Sequence, residues 1–234
     1  MEIIEFPVLK VNGQTFEVED TFHRYVRPTV NPVLSPFCTE LTGIIQDMVD
    51  EANKFNRVYA DFQKWLQETQ LIDEQQKPIS KFTFVTCGDW DLRKIFPVQC
   101  HLCGHEVPKY MRQWINVKKS FTDQVHHWPK SQAYLIEYFG FQPTGRAHSG
   151  IDDCHNLVQI FREIGNFVSA VNPTFTNTIF SFQQNLAMFI KTLASTKRTA
   201  DFLCRLSFTK SVFLIVCFNF IFKLKFSFLK CFKW

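Results

Sequence analysis

Two rhythms of apolar and polar positions run along this chain. Glu2 to Val11 is rich in Ile, Val and Phe, and Asn12-Gly13 after it is a hairpin turn signal. That pattern predicts a strand which returns over Thr15 to Val26, with Phe16, Val18 and Phe22 set among polar neighbours. Pro28, Pro32 and Pro36 punctuate a loop, and Ser35 or Thr39 can start the next helical region. Gly43 ends a short turn and Ile44 to Ala52 reads as helical. From Phe55 to Leu71 the spacing is helical, because Val58, Phe62, Trp65 and Leu66 fall on one face. Asp73 to Ser80 is a polar loop before a short apolar strand over Lys81 to Cys87. A helix is expected from Asp89 to Leu102, a strand over Gln113 to Val117, and helices over Ser131 to Phe139 and Ile151 to Phe167. Strands interleaved with helices predict an α/β fold, a mixed sheet with flanking helices opened by an antiparallel hairpin.

Composition divides the chain into two unlike parts. Residues 1–170 hold 17 Lys and Arg against 21 Asp and Glu, whereas residues 171–234 hold 9 against a single Asp. Thirteen of the 27 Phe lie in that shorter second part, and all eight Gly precede residue 166. A compact fold needs turns, many of them supplied by Gly. The expectation is therefore a folded body over 1–170 and an aberrant Phe- and Lys-rich tail over 171–234. The acidic body argues against broad electrostatic attraction to nucleic acid. The start of the chain lacks a basic region followed by an apolar run, so no signal peptide is read. The eight Cys form no regular framework, which fits reduced thiols in an intracellular setting, cytoplasm or nucleus. Cys100-x-x-Cys103 with His101 and His105 hints at zinc, but no second ligand pair follows at suitable spacing.

The densest candidate chemistry lies in His148-Ser149-Gly150-Ile151-Asp152-Asp153. Leu157, Ile160 and Ile164 make one helical stripe, and Asp153 stands four residues before Leu157, so its side chain should face the protein body. Asp152 should be more exposed. An inward carboxylate at a helix start is either a cap or a metal ligand. His148 sits in a loop between Gly145 and Gly150, free to meet substrate or simply to lie at the surface. Asp89 and Asp91 both follow a strand, where α/β active sites tend to sit, and Asp89 has the additional reading of a helix cap.

Taken together, Ile3-Ile4-Glu5-Phe6-Pro7, Tyr25-Val26-Arg27-Pro28, Phe37-Cys38-Thr39-Glu40-Leu41-Thr42-Gly43-Ile44, Val85 to Leu92, Gln113-Trp114-Ile115-Asn116 and Gly145 to Cys154 resemble the DEDDh 3′–5′ exonucleases of the ribonuclease H-like superfamily. More closely, they are similar to the enhanced-RNAi exoribonucleases. The resemblance runs from Glu2 to about Phe167. It implies a ribonuclease H-like sheet and stepwise hydrolysis from RNA 3′ ends that releases 5′-mononucleotides. It also implies two divalent metal ions, Mg²⁺ or Mn²⁺, held by four acidic residues, with a His as general base. The third and fourth acidic positions fall on Asp91 and Asp153, and the base on His148. Thr42 and Gly43 would border the terminal nucleotide. Read from the residues themselves, Arg146, Lys118 and Lys119 are either phosphate contacts or ordinary surface basic residues. The first two acidic residues normally come as Asp-x-Glu on a strand upstream of Glu2 to Pro7. Nothing matching that strand precedes Glu2 here, so the sheet is expected to lack its first central strand and the metal ions to bind weakly.

From about Val171 the resemblance stops. Val212 to Phe218 is apolar and continues to Phe222, short of the ~20 residues that span a bilayer. Lys223, Lys225, Lys230 and Lys233 follow it, which leaves an interfacial anchor as one reading. The reading preferred is a divergent end or translated noncoding sequence, irregular or helical. Three functions remain: an exoribonuclease with impaired activity, a catalytically inactive RNA- or protein-binding module, and a membrane-attached regulatory form.

Overall fold

The structure is a computed structural model in which residues 1–171 and 211–221 are described. The opening hairpin forms as expected: β1 (Glu2–Asn12) pairs antiparallel with β2 (Val18–Tyr25), with Val8 opposite Phe22. A proline-rich loop leads to α1 (Pro36–Thr42), α2 (Gln46–Asp50) and α3 (Phe55–Glu68). Ser35 is the N-cap of α1, its hydroxyl accepting from the Cys38 N–H, and Gly43 closes that helix in the left-handed region at φ 79°. Next come β3 (Lys81–Thr86), a π-helical turn over Asp91–Ile95 that runs into α4 (Phe96–Leu102), and β4 (Trp114–Asn116). The body is completed by α5 (Val117–Val125), α6 (Gln132–Tyr138) and α7 (Gly150–Val171).

Helix α5 was not expected from the sequence. Its signal was present: Val117, Phe121 and Val125 recur every fourth residue, and the Asn116 side chain caps Lys118 and Lys119.

The largest departure lies in the C-terminal segment. Residues 211–221, expected to be irregular or helical, form β5 (Ser211–Val216) and β6 (Asn219–Ile221). Strand β5 stands in the middle of the sheet, whose order is β2-β1-β5-β3-β4, and β6 pairs with β1. It runs antiparallel to β1, with Val8 opposite Val216, and parallel to β3, with Val85 opposite Ile215. The central position expected to be missing is thus occupied. The reason is physical: Val212-Phe213-Leu214-Ile215-Val216 is a continuous apolar run, four of its five residues β-branched or aromatic, without Gly or Pro. Such a run suits a strand covered on both faces. Residues 172–210 and 222–234 of the tail lie outside the described residues.

Each face of the sheet carries a core. On one, Phe6, Phe62, Phe84, Phe96, Leu214 and Val216 pack together. On the other, Leu9, Val85, Leu157, Phe161, Phe213 and Ile215 do so. Alternate residues of β5 enter opposite cores, as strand geometry requires. Leu214, Ile215 and Val216 are fully buried, and each such side chain contributes roughly 1.5–3 kcal/mol of transfer free energy. Among the described residues no helix is long and apolar enough to cross a membrane. The possible zinc cluster is not assembled: His105 bonds Asn56 at 2.9 Å, Gln99 donates to the Cys103 sulfur at 3.3 Å, and Cys100 is buried.

Candidate active site

Strands β3 and β5 are parallel, so their C-terminal ends lie on one side of the sheet, where ligands of open α/β sheets bind. Asp91 follows β3 there, and Cys217, Phe218 and Asn219 follow β5. Helix α7 begins at the same place and brings Asp153 on its first turn, with the His148 loop just before it. Asp91, Asp153 and His148 therefore converge at one end of the sheet.

The two acidic residues of the β3 exit have different fates. Asp89 accepts from Trp114 Nε1 at 3.1 Å and Asn116 Nδ2 at 2.9 Å, and pairs with Lys119 Nζ at 2.7 Å. Burial alone would raise its carboxyl, and these donors outweigh burial and hold it below the usual range. Asp89 thus ties β4 and α5 to the end of β3. Asp91 instead faces inward, where burial pushes its carboxyl up to about 6, opposed by the N–H of Phe218 donating to Oδ1 at 2.9 Å. Asp153 is pushed up to about 7, first by burial and then by the Glu5, Asp152 and Asp91 carboxylates, with the His148 N–H opposing. Two inward carboxyls with raised affinity for protons, on two different elements, mark this spot as chemically unusual.

Glu5, part of the Ile3-Ile4-Glu5-Phe6-Pro7 marker, organises the spot. Glu5 lies on β1 between the buried side chains of Ile4 and Phe6 and is itself 1% exposed. Its carboxylate accepts the first N–H groups of α7, from Gly150 at 2.9 Å and Ile151 at 3.2 Å. It also meets His23 Nε2 at 2.9 Å and accepts from Asn219 Nδ2 at 2.6 Å. Burial raises this carboxyl, and the bonds from His23, Asn219 and Gly150 outweigh it, for a net lowering. Glu5 therefore caps α7 from another element and satisfies donors that a helix start leaves open. Gly150 has to be glycine, because a Cβ there would meet the Cys217 carbonyl oxygen at 2.7 Å and Glu5 Oε2 at 2.9 Å. A carboxylate inside an otherwise apolar strand was the available signal for Glu5.

His148 occupies the left-handed region at φ 65°, uncommon for a side chain with a Cβ. Its carbonyl accepts from Asn219 Nδ2 at 2.8 Å. Among the described residues no hydrogen bond ties its imidazole. Partial burial first, then the nearby Arg146 charge, lower its proton affinity and favour the neutral ring at pH 7. Asp152 is not simply exposed: Oδ2 accepts from the Arg146 N–H at 2.9 Å, and its carboxylate lies on the face of Gly145 that a Cβ would fill.

Thr42, Gly43 and Arg146 are brought together. The Arg146 guanidinium lies against Gly43, where a Cβ would meet Nε at 3.0 Å, and donates to the Glu40 carbonyl. Thr42 is buried. Its hydroxyl donates to the Cys38 carbonyl at 2.8 Å and accepts from the Ile44 N–H at 3.1 Å, so it holds the turn itself. Lys118 donates to the Lys130 carbonyl at 2.9 Å.

This sheet, with two acidic groups and a His loop at one end, defines an α/β domain with one candidate active site. Residues 1–161 match the family model described as Exonuclease, and the chain belongs to that family. Its members of the DEDDh type are 3′–5′ exonucleases, hydrolases that use two divalent metal ions. The chain is 48% identical over 164 residues to the ERI1 exoribonuclease 3 of Mus musculus, covering 70% of this chain and 48% of that protein. It is 41% identical over 162 residues to the 3′-5′ exoribonuclease 1 of the same organism, covering 68% and 45%. The chain thus spans about half the length of the curated relatives it matches. Among solved structures, it is similar to the nuclease domain of 3′hExo, a DEDDh family member, bound to rAMP. That match has TM-score 0.64 and 36% identity, over 70% of this chain and 80% of that one. A 3′-exonuclease described in 3′-end-specific recognition of the histone mRNA stem-loop matches with TM-score 0.65 and 36% identity, over 70% and 71%.

The described residues do not fit two metal ions. No group of three or more His, Cys, Asp or Glu among them is placed to hold one. Asp91 Oδ1 receives the Phe218 N–H, and the Asn219 carboxamide is engaged with Glu5 and His148.

Proposed function

We propose that this chain is a 3′–5′ exoribonuclease domain whose hydrolysis is impaired, and that it engages RNA 3′ ends where β3, β5 and α7 meet. The observation that carries this reading is the convergence of Asp91, Asp153 and His148 at that end of the sheet. His148, favoured in its neutral form, is the general base. Asp91 and Asp153 are the residues that would hold Mg²⁺ or Mn²⁺, and with so few donors the ion would bind weakly. The turn at Thr42 and Gly43 forms the rim for the terminal nucleotide. Arg146, exposed beside it, is the phosphate contact, and the product is a 5′-mononucleotide.

A second reading, a catalytically inactive RNA-binding module, is favoured by one observation: the described residues gather no three-ligand metal group. One experiment separates the two. Single-stranded RNA labelled for detection of its 3′ end is incubated with the chain and with its His148→Ala variant, in Mg²⁺ or Mn²⁺. Slow mononucleotide release that disappears in the variant supports the impaired enzyme. Retention of intact RNA by a folded chain supports the binding module. Absence of both binding and release defeats the assignment.

A further inference from the structure

The turn from β5 into β6 places two side chains, Cys217 and Asn219, at the acidic end of the sheet. Residues 214, 216 and 218 of this segment enter one core, where the Phe218 ring meets Phe6 edge-on at 4.7 Å. Residues 213 and 215 enter the other core, and Cys217 packs against it. The face shared with α7 continues to Asn219, which pairs with Glu5 in register and bonds the His148 carbonyl. Cys217 lies where α7 comes nearest, since its carbonyl oxygen sits 2.7 Å from the place a Gly150 Cβ would take. Its neighbour across that contact is Cys154 of the first turns of α7, whose sulfur donates to the Ile215 carbonyl at 3.7 Å. The Phe218 N–H between the two positions holds Asp91.

A hard divalent cation needs several oxygen ligands, and carboxylates supply them best. Here the segment that leaves β5 offers a thiol at Cys217 and a carboxamide at Asn219, on either side of the Phe218 N–H that holds Asp91, and the carboxamide is engaged with Glu5 and the His148 carbonyl. We infer that the strand supplied by residues 211–221 completes the sheet while withholding the metal: Cys217 and Asn219 stand where two further oxygen donors would have to be. The site is built and closed, yet its central wall carries no negative charge. This rests on the proposed location of the active centre and concerns why that centre fails to load.

The test is Mn²⁺ titration of the full chain, read by calorimetry and by the electron paramagnetic resonance of free Mn²⁺. The wild type, Cys217→Asp, and Cys217→Asp with Asn219→Glu are compared, with folding checked by near-ultraviolet circular dichroism. The wild type is expected to show no saturable pair of Mn²⁺ sites. The double variant is expected to gain two ions, at least about tenfold tighter than any residual wild-type binding. Because Asn219 also anchors Glu5, the Cys217→Asp variant is the arm that survives if the double variant does not fold, and it should gain one ion. Two saturable ions in the wild type, lost in Asp91→Asn, overturn the inference, as does a folded double variant that gains none. If neither variant folds, the wild-type titration and its Asp91→Asn control still decide. RNA binding by the wild type in chelator is measured in parallel. Absence of RNA binding there together with absence of mononucleotide release in Mn²⁺ defeats the proposed function without touching the metal result.

Discussion

The carboxamide of Asn219 donates to Glu5 at 2.6 Å and so closes a contact across 214 positions of sequence. The same Nδ2 reaches the His148 carbonyl at 2.8 Å, which makes one side chain of the C-terminal segment the clamp between β1 and the His148 loop. Asn219→Ala removes a hydrogen bond to a buried charge, and such bonds contribute about 1.5–3 kcal/mol. The urea midpoint should fall accordingly with an unchanged slope. Asn219→Leu, which also loses the donor, should fall as far. An unchanged midpoint in both variants would mean the clamp contributes nothing.

Glu5 gives the fold a dependence on acid. Its carboxyl is held below its ordinary value, so its stabilising contribution is present above the unfolded value of 4.5 and is lost as pH falls through the lower folded value. Glu5→Gln keeps the shape and removes the charge that faces the start of α7. We expect a loss of about 1–3 kcal/mol at pH 7. The gap between the two proteins should narrow as pH drops below 4.5, read from thermal melts across that range. A gap that widens with acid would reverse the sign and refute the capping role.

Asp89 and Asp91, two residues apart, should respond to neutralisation in opposite directions. Asp89 is lowered by its partners and contributes stability at neutral pH, so Asp89→Asn should cost about 1–2 kcal/mol at pH 7. Asp91 is raised to about 6, so the stability associated with its protonated form is fully present below 3.8 and is gone once pH has risen past about 6. Asp91→Asn should therefore stabilise the protein at pH 8, on the order of 1 kcal/mol, and do nothing near pH 4. Melting curves at the two pH values check both signs at once. A fall in stability for Asp91→Asn at pH 8 would show that the Phe218 N–H outweighs burial.

How far the sequence announced this molecule depends on which interactions are local. The helices from Phe55 and Ile151, the hairpin at Asn12-Gly13 and the strand from Lys81 are written in periodicity and turn chemistry within a few residues. The structure has them close to where the spacing put them. The place of β5 is not local. Its apolar run was visible, but pairing with β1 and β3 depends on strands more than a hundred residues away, and its setting among Phe and Lys argued for irregularity. Asp153 facing inward was legible from the α7 stripe. The division of labour between Asp89 and Asp91 was not, because it is set by Trp114, Asn116 and Lys119 arriving from β4 and α5.

Thr42, Gly43 and Arg146 carry a last expectation, in which structure and substrate rim separate. Thr42→Val keeps the volume and removes the hydroxyl that bonds Cys38 and Ile44, so it should cost about 1–2 kcal/mol. Gly43→Ala forces a Cβ onto a backbone at φ 79° and against the Arg146 side chain at 3.0 Å. A left-handed residue with a Cβ costs about 1 kcal/mol, and the arginine must shift as well. Arg146→Ala, by contrast, removes an exposed side chain whose described hydrogen bond runs to the Glu40 carbonyl. It should leave the melting temperature within about 2 °C while weakening RNA 3′-end binding several-fold at low salt, because a phosphate contact is lost. Fluorescence anisotropy with a short labelled RNA, run beside the melts, reads both quantities. If Arg146→Ala lowers the melting temperature as much as Gly43→Ala and leaves RNA affinity intact, Arg146 is a strut between α1 and the His148 loop and not a substrate contact.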